Sequence, residues 1–314
     1  MTKHRIVFVG TGDIALPSFA TLLDAGLVAL VTQPDKPVGR KQVLTPPRIK
    51  QEALAHGIPV LQPESARDRS FLAELTALKP DVIVVMAYGQ ILSQAFLDIA
   101  RVACINLHAS LLPRYRGAAC IQAAIDAGDR QTGVTVMYVI KALDAGDIIL
   151  KKELAIGRHE TGGELHDRLA DLAPVALTEA LAQLAEGTAS REPQDEASAS
   201  YVSKLLREDG EIDWSLDAEA LERRIRAYDP WPGTSTSYVD KKGRVRRLKI
   251  FPQVKVCDQQ GTPGEVLAVD GLLRVACGKG ALEIDRLQAD GSRRMTAVEF
   301  MLGAPLAVGD CLGN

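Results

Sequence analysis

Paired cysteines are missing from this chain. Its five, Cys104, Cys120, Cys257, Cys277 and Cys311, are odd in number, scattered and without any C-x-x-C spacing. That argues against a disulfide framework and a zinc site, and it fits a reducing compartment. Long hydrophobic runs are missing too. None approaches the roughly 20 residues a membrane helix needs, and the opening apolar run "IVFV" is too short for the core of a signal peptide. Nor does one sign of charge dominate. A formal net charge of −3 over 314 residues gives no global pull toward nucleic acid, so any such attraction must come from local patches. No internal repeat is visible. What remains is a chain with 46% hydrophobic and 25% charged residues, ordinary for a soluble globular protein and long enough for two domains. A soluble, cytoplasmic protein is expected.

The first half alternates two textures. "RIVFVG", "LVALVT", "IPVLQ", "DVIVVMA" and "VACINL" are short continuous apolar runs, as in strands covered on both faces. Between them, "PSFATLLDAG", "PRIKQEALAHG" and "SFLAELTALKP" read as helices, the last stopped by Pro80. This alternation predicts an α/β, Rossmann-like, doubly wound and mainly parallel sheet. "GVTVMYVI" and "DIILKKELAI" extend it, and "TGGELHDRLADLAPVALTEALAQLAEG" is a long amphipathic helix with Pro174 inside. The stretch "TASREPQDEASASYVSKL" has no apolar period and reads as a linker. Beyond it, short β patterns separated by Gly and Pro turns suggest a second, smaller OB-like β-barrel. The expected division is a first domain over 1–189, a linker over 190–206 and a second domain over 207–314.

Two motifs compete for the chemistry. "GTGDIA", Gly10 to Ala15, satisfies G-x-G-x-x-A after the first strand, and Asp35 follows the second. That is a dinucleotide fingerprint, so an NAD-dependent oxidoreductase is one reading, although glycines at this turn also serve simply to bend the chain. "CINLHASLLPRYRGAACIQ" carries more information. Asn106 and His108, two residues apart on an extended segment, point to one face. They fall at the carboxyl end of a strand, where parallel sheets bind ligands. An amide donor beside an imidazole suits stabilising an oxyanion while a proton moves, the demand of acyl-type transfer. A carboxylate could orient His108, and by spacing alone Asp126, Asp129, Asp144 and Asp147 are equal candidates.

The segments "VTQPDKPVGR", "INLHASLLPRYRGAACIQ", "TGVTVM", "LDAGDI", "DGEIDWS", "IRAYDPWPGTST" and "LQADGSRRMTAVEF" resemble the methionyl-tRNA formyltransferase family over nearly the whole chain. The resemblance implies a Rossmann-like formyltransferase domain, a linker and an OB-like domain. It also implies Asn106, His108 and Asp144 as the catalytic set. Ser110, Leu111, Leu112 and Pro113 would touch the folate, and "MAYGQIL", with Met86, Tyr88 and Gly89, would line its pterin pocket. The chain departs from the family at Gly12 and Cys120, where prolines are usual. The first departure is what creates the dinucleotide pattern.

Basic residues complete the reading. Arg40 and Lys41 lie in a loop after the second strand that resembles the family's tRNA-inserted loop. In "KKGRVRRLK" six of nine residues are basic, among them Arg244, Arg246 and Arg247, and a stripe on an OB-like barrel favours phosphate contact. Lys204 and Arg207 would bridge the two patches. The resemblance implies formyl transfer from 10-formyltetrahydrofolate to the α-amino group of initiator methionyl-tRNA. A monomer without a membrane partner is expected. No metal is expected, because His4, His56, His159 and His166 show no ligand spacing with His108. The rivals are glycinamide ribonucleotide and amino-sugar formyltransferases, the NAD-dependent oxidoreductase and a non-catalytic tRNA-binding module.

Overall fold

A computed structural model describes residues 4–39, 41–303 and 306–313. The chain forms two compact units that are not contiguous in sequence. The first comprises Met1–Gly117, Gln131–Ala155 and His166–Val202, the second Ala118–Arg130, Ile156–Leu165 and Ser203–Asn314.

The first unit is built on a seven-stranded sheet. Its strands are β1 (Ile6–Gly10), β2 (Leu27–Val31), β5 (Val60–Leu61), β6 (Val82–Met86), β7 (Ala103–His108), β9 (Gln131–Tyr138) and β10 (Ile148–Ala155). The remaining short strands of this unit are β3 (Lys36–Val38), β4 (Val43–Thr45), β8 (Arg116–Gly117) and β11 (Tyr201–Val202). The sheet order is β10-β9-β7-β6-β1-β2-β5. The strands from β7 to β5 are parallel, while β9 alone is reversed, pairing antiparallel with both β7 and β10. Every residue of β1 and β6 is buried, which is why their sequences are unbroken apolar runs. At the edge, β10 exposes Lys151 and Glu153 instead, charges that discourage a further strand from adding on.

From β1 the chain builds toward β2 and β5, then returns to place β6 and β7 on the other side. The order therefore reverses between β1 and β6, and the crevice at their carboxyl ends is where such sheets bind ligands. One face of the sheet contributes Val7, Val9, Val31, Ile83 and Val85 to a core with Phe71, Leu75 and Phe96. A helix at Arg69–Ala77 supplies Phe71 and Leu75 to that core; the Asp68 carboxylate starts it by accepting from the Ser70 and Phe71 amides. The long helix runs as Gly162–Glu186 without interruption at Pro174 and buries the stripe Leu169, Ala173, Leu177 and Ala180.

In the second unit the expected antiparallel strands form two four-stranded sheets. Its strands are β12 (Thr234–Val239), β13 (Val245–Ile250), β14 (Lys255–Cys257), β15 (Val266–Ala268), β16 (Leu273–Ala276), β17 (Ala281–Ile284), β18 (Arg286–Ala289) and β19 (Met295–Thr296). One sheet has the order β12-β13-β18-β19 and the other β14-β17-β16-β15. Both share one core that includes Trp214, Leu248, Leu273, Leu282, Leu287 and Phe300. The helices Cys120–Asp126 and Ala218–Ala227 belong to this unit, tied by Arg224 on Asp126 at 3.1 Å.

Candidate active site

The switch-point crevice is closed at its base by backbone. The Thr11 and Gly12 amides both donate to the Ala87 carbonyl at 3.2 Å, fastening the turn after β1 to the turn after β6. Only glycine fits at position 10, since a Cβ there would lie 2.7 Å from the Met86 carbonyl. Gly12 has φ −68°, a value proline also adopts. Cys120 is the first residue of its helix, another place that proline favours. Both departures from the family pattern thus preserve backbone geometry. Gly12 adds an amide that proline lacks.

The same turns answer the dinucleotide reading. Asp35, the carboxylate that would hold a ribose, accepts instead from Lys50 at 2.8 Å and from Gln62 at 2.8 Å. Those hydrogen bonds hold its carboxyl below the usual range. The ribose-binding acid is already occupied.

Asn106 and His108 stand at the end of β7, between β6 and β9. Asn106 lies opposite Val85 and Met137, and His108 opposite Thr135. Asn106 is half-buried, and its amide side chain has no hydrogen-bond partner among the described residues. His108 is 6% exposed. Its Nε2 lies 2.8 Å from the Tyr115 carbonyl, so that nitrogen carries a proton. Its Nδ1 lies 3.7 Å from Oδ2 of Asp144. Of the candidate aspartates, Asp144 is the one that faces the imidazole; Asp126 is bound to Arg224 and Asp147 lies 3.8 Å from Arg191. Oδ2 of Asp144 also accepts the Gly117 amide at 2.8 Å, which aims the carboxylate.

The loop after β7 divides its residues between interior and surface. Ser110 is buried and donates to the Arg114 carbonyl at 2.7 Å. Thr135 of β9 donates to the Ser110 carbonyl at 2.6 Å and accepts from the Leu112 amide at 3.1 Å. Leu112 packs on Met137 and Ile148. Leu111 and Pro113 are only half-buried and are the members of this quartet with apolar surface to offer a ligand. A similar split holds after β6. The side chains of Met86 and Tyr88 are buried, Tyr88 among Val85, Leu92 and Phe96. Burial alone pushes its phenol up to about 12. What these positions present is backbone and Gly89, which is exposed at φ 81°. Cys104, in the same strand as Asn106, is buried in apolar surroundings that push its thiol up to about 12, which unfits it as a nucleophile.

Among the predicted RNA contacts, Arg40 lies outside the described residues. Lys41 is exposed between β3 and β4, a hairpin that also exposes Val38, Val43 and Leu44. Lys204 and Arg207 are exposed. Arg244 and Arg246 are exposed as well, and both pair with Asp240, the residue just before the basic run, at 2.8 and 3.3 Å. Arg247 is half-buried and donates to Ser235. Strand alternation places Arg246 on the face of β13 opposite to Arg247 and Lys249, so the run does not form a single-faced stripe.

Sequence reasoning missed Arg116 and Gln194. Arg116, inside the loop after β7, is fully buried. Its guanidinium donates to Gln194, to both oxygens of Glu196 and to the Tyr201 hydroxyl. Nothing local signals this, because the partners lie 78 to 85 residues on. No group of three or more His, Cys, Asp or Glu side chains among the described residues is placed to hold a metal ion. No described helix is long and apolar enough to cross a membrane.

Comparison with known proteins bears on this geometry. Residues 5–181 match the family described as formyl transferase, and residues 204–305 match its C-terminal domain. A methionyl-tRNA formyltransferase of Akkermansia muciniphila is 53% identical over 96% of this chain and 97% of its own length. One from Citrifermentans bemidjiense is 46% identical over 100% of this chain and 98% of its own. Among solved structures, an N-formyltransferase from Helicobacter canadensis, in complex with folinic acid and dTDP-3-aminofucose, matches with a TM-score of 0.65 at 17% identity, covering 90% of this chain and 98% of that one. HypX from Aquifex aeolicus in complex with tetrahydrofolic acid matches with a TM-score of 0.60 at 20% identity, over 96% of this chain and 47% of that one. These two likenesses carry the fold alone.

Proposed function

Because this chain belongs to the methionyl-tRNA formyltransferase family, we propose that it moves a formyl group from 10-formyltetrahydrofolate to the α-amino group of methionine on initiator tRNA, for translation initiation. The observation that carries this reading to particular residues is the juxtaposition of an uncommitted Asn106 amide with a His108 ring facing Asp144, beside the switch point of the sheet.

An α-amino group titrates at about 7.7–8.0, so a useful fraction is neutral near physiological pH and no strong base is needed to begin. Its nitrogen attacks the formyl carbon, a C–N bond forms, and the carbonyl oxygen becomes an oxyanion. Asn106 and His108 donate to that oxygen, and one such donor lowers the barrier by about 2.7–4 kcal/mol. His108 does so through its Nε2–H, which the Tyr115 carbonyl holds in place and which is shared with the oxyanion as a three-centre bond. The bond from the formyl carbon to the folate nitrogen then breaks. The amine proton ends on that nitrogen, with Asp144 keeping the imidazole oriented for the transfer.

We assign folate binding and catalysis to residues 1–189 and the grip on tRNA chiefly to 207–314, in a cytoplasmic monomer. The relatives that match end to end at 46% and 53% identity are methionyl-tRNA enzymes, which favours charged tRNA over an amino sugar. The test is to offer purified protein 10-formyltetrahydrofolate with charged initiator tRNA or with a nucleotide-linked amino sugar. Formylmethionyl-tRNA is the expected product; transfer to the sugar alone would overturn the substrate assignment.

A further inference from the structure

Residues 192–202 lie in the first unit and reach two acceptors that face the His108 ring, Tyr115 and Asp144. On the Asp144 side, Nε2 of Gln194 donates to the carbonyls of Asp144 and Gly146, each at 2.8 Å. The other end of that amide accepts from Nε and Nη2 of Arg116 at 3.1 and 2.9 Å. On the Tyr115 side, Oγ of Ser200 accepts the Tyr115 amide at 2.8 Å. The Tyr115 carbonyl in turn faces Nε2 of His108. Parallel pairing of β8 with β11 holds the two segments together, with the Arg116 amide donating to the Ser200 carbonyl at 2.8 Å.

Asp144 and Tyr115 share a further property. Both are non-glycine residues at positive φ, 48° and 59°, a conformation such residues hold only when their surroundings impose it. At each, a hydrogen bond from residues 192–202 reaches the residue's own backbone. We infer that Gln194 and Ser200 are positioning residues for formyl transfer. Gln194 fixes the turn from which Asp144 presents its carboxylate, and Ser200 fixes the turn from which Tyr115 presents its carbonyl. Neither residue touches reacting atoms. With Nδ1 of His108 already 3.7 Å from the carboxylate, relaxation of the turn toward ordinary φ takes the carboxylate out of reach. This inference rests on the assignment of His108 and Asp144 as catalytic.

Gln194→Glu separates positioning from scaffolding. A glutamate keeps an acceptor for Arg116 but replaces the two donors toward Asp144 and Gly146 with an oxygen. The full-length variant is to be compared with wild type in steady-state kinetics, in thermal unfolding and in 15N spectra of histidine-labelled protein. Expected is a loss of kcat of about 10- to 100-fold, the scale of a misplaced catalytic group. KM for the formyl donor and for charged tRNA should stay near wild type, and the His108 ring signals should move. Ser200→Ala, at a half-buried hydroxyl, should do the same on a smaller scale, about three- to tenfold. It decides the matter if Gln194→Glu does not fold. Wild-type kcat in a folded Gln194→Glu, or a loss of kcat with unmoved His108 signals, overturns the inference; so does the same outcome in Ser200→Ala. His108→Ala is the control. If that variant is inactive while both others work normally, positioning alone fails; if it is active, the catalytic assignment fails first.

Discussion

Arg116 is fully buried, its guanidinium surrounded by Gln194, Glu196 and Tyr201, whereas Arg244 and Arg246 stand exposed and both pair with Asp240. All three come from short runs in which arginine is dense. The first run is anchored inside the fold and the second presents charge to its surroundings. What separates them is where their partners lie. Those of Arg116 come from 78 to 85 residues away and bind its side chain on several sides. Those of Arg244 and Arg246 are the neighbouring turn, four and six residues back. Distant partners fix a loop in space, and local ones merely moderate its charge.

The contrast is sharpest for turnover. Asn106→Ala, in the strand that enters the Arg116 loop, should lower kcat about 100- to 1,000-fold with little change in folate affinity. Steady-state kinetics decide this, and a change confined to KM would make Asn106 a binding residue instead. Next in size is stability. Arg116→Ala leaves a cavity and strips Gln194 of its donor, so urea unfolding should show a loss of about 2–4 kcal/mol. Hydrogen bonding from Arg116 holds the Glu196 carboxyl below its ordinary value. A lowered folded-state pKa gives stability that is present above the unfolded value of about 4.3 and is lost as the pH falls through the folded one. The gap between wild type and Arg116→Ala should therefore narrow in acid. A gap that does not change with pH would remove Glu196 from the account.

The smallest effect belongs to the hairpin. Replacing Arg244, Arg246 and Arg247 by glutamine should raise KM for tRNA and flatten its salt dependence, leaving folate affinity and the unfolding midpoint unchanged. Each phosphate no longer neutralised should reduce the log–log salt slope by about 0.7–0.9. Since Asp240 already pairs with two of the three arginines, the change should fall short of three phosphates' worth. An unaltered slope would mean that the hairpin is a solvated surface.

The sheet and the pair on β7 were legible because their signals are local. Unbroken apolar runs marked β1 and β6, and the switch from apolar to polar residues marked Asn106 and His108 as the end of a strand. Asp144 was not separable by spacing from Asp126, Asp129 and Asp147, because the choice depends on which turn closes over a strand some 36 residues earlier in the chain. The β3–β4 hairpin has only three residues in each strand, too few to show a period. Gln194 lay in a stretch without apolar pattern and read as linker. Its place in the site depends on side-chain bonds across 48 to 78 residues, and no periodicity records those.

Single-turnover formyl transfer by His108→Ala, with enzyme in excess over charged initiator tRNA and saturated with 10-formyltetrahydrofolate, tests the central claim most directly. The account expects both substrates to bind and the transfer step to slow by about a hundredfold or more, the usual scale for a positioned acid–base group. A transfer rate near that of wild type would contradict it.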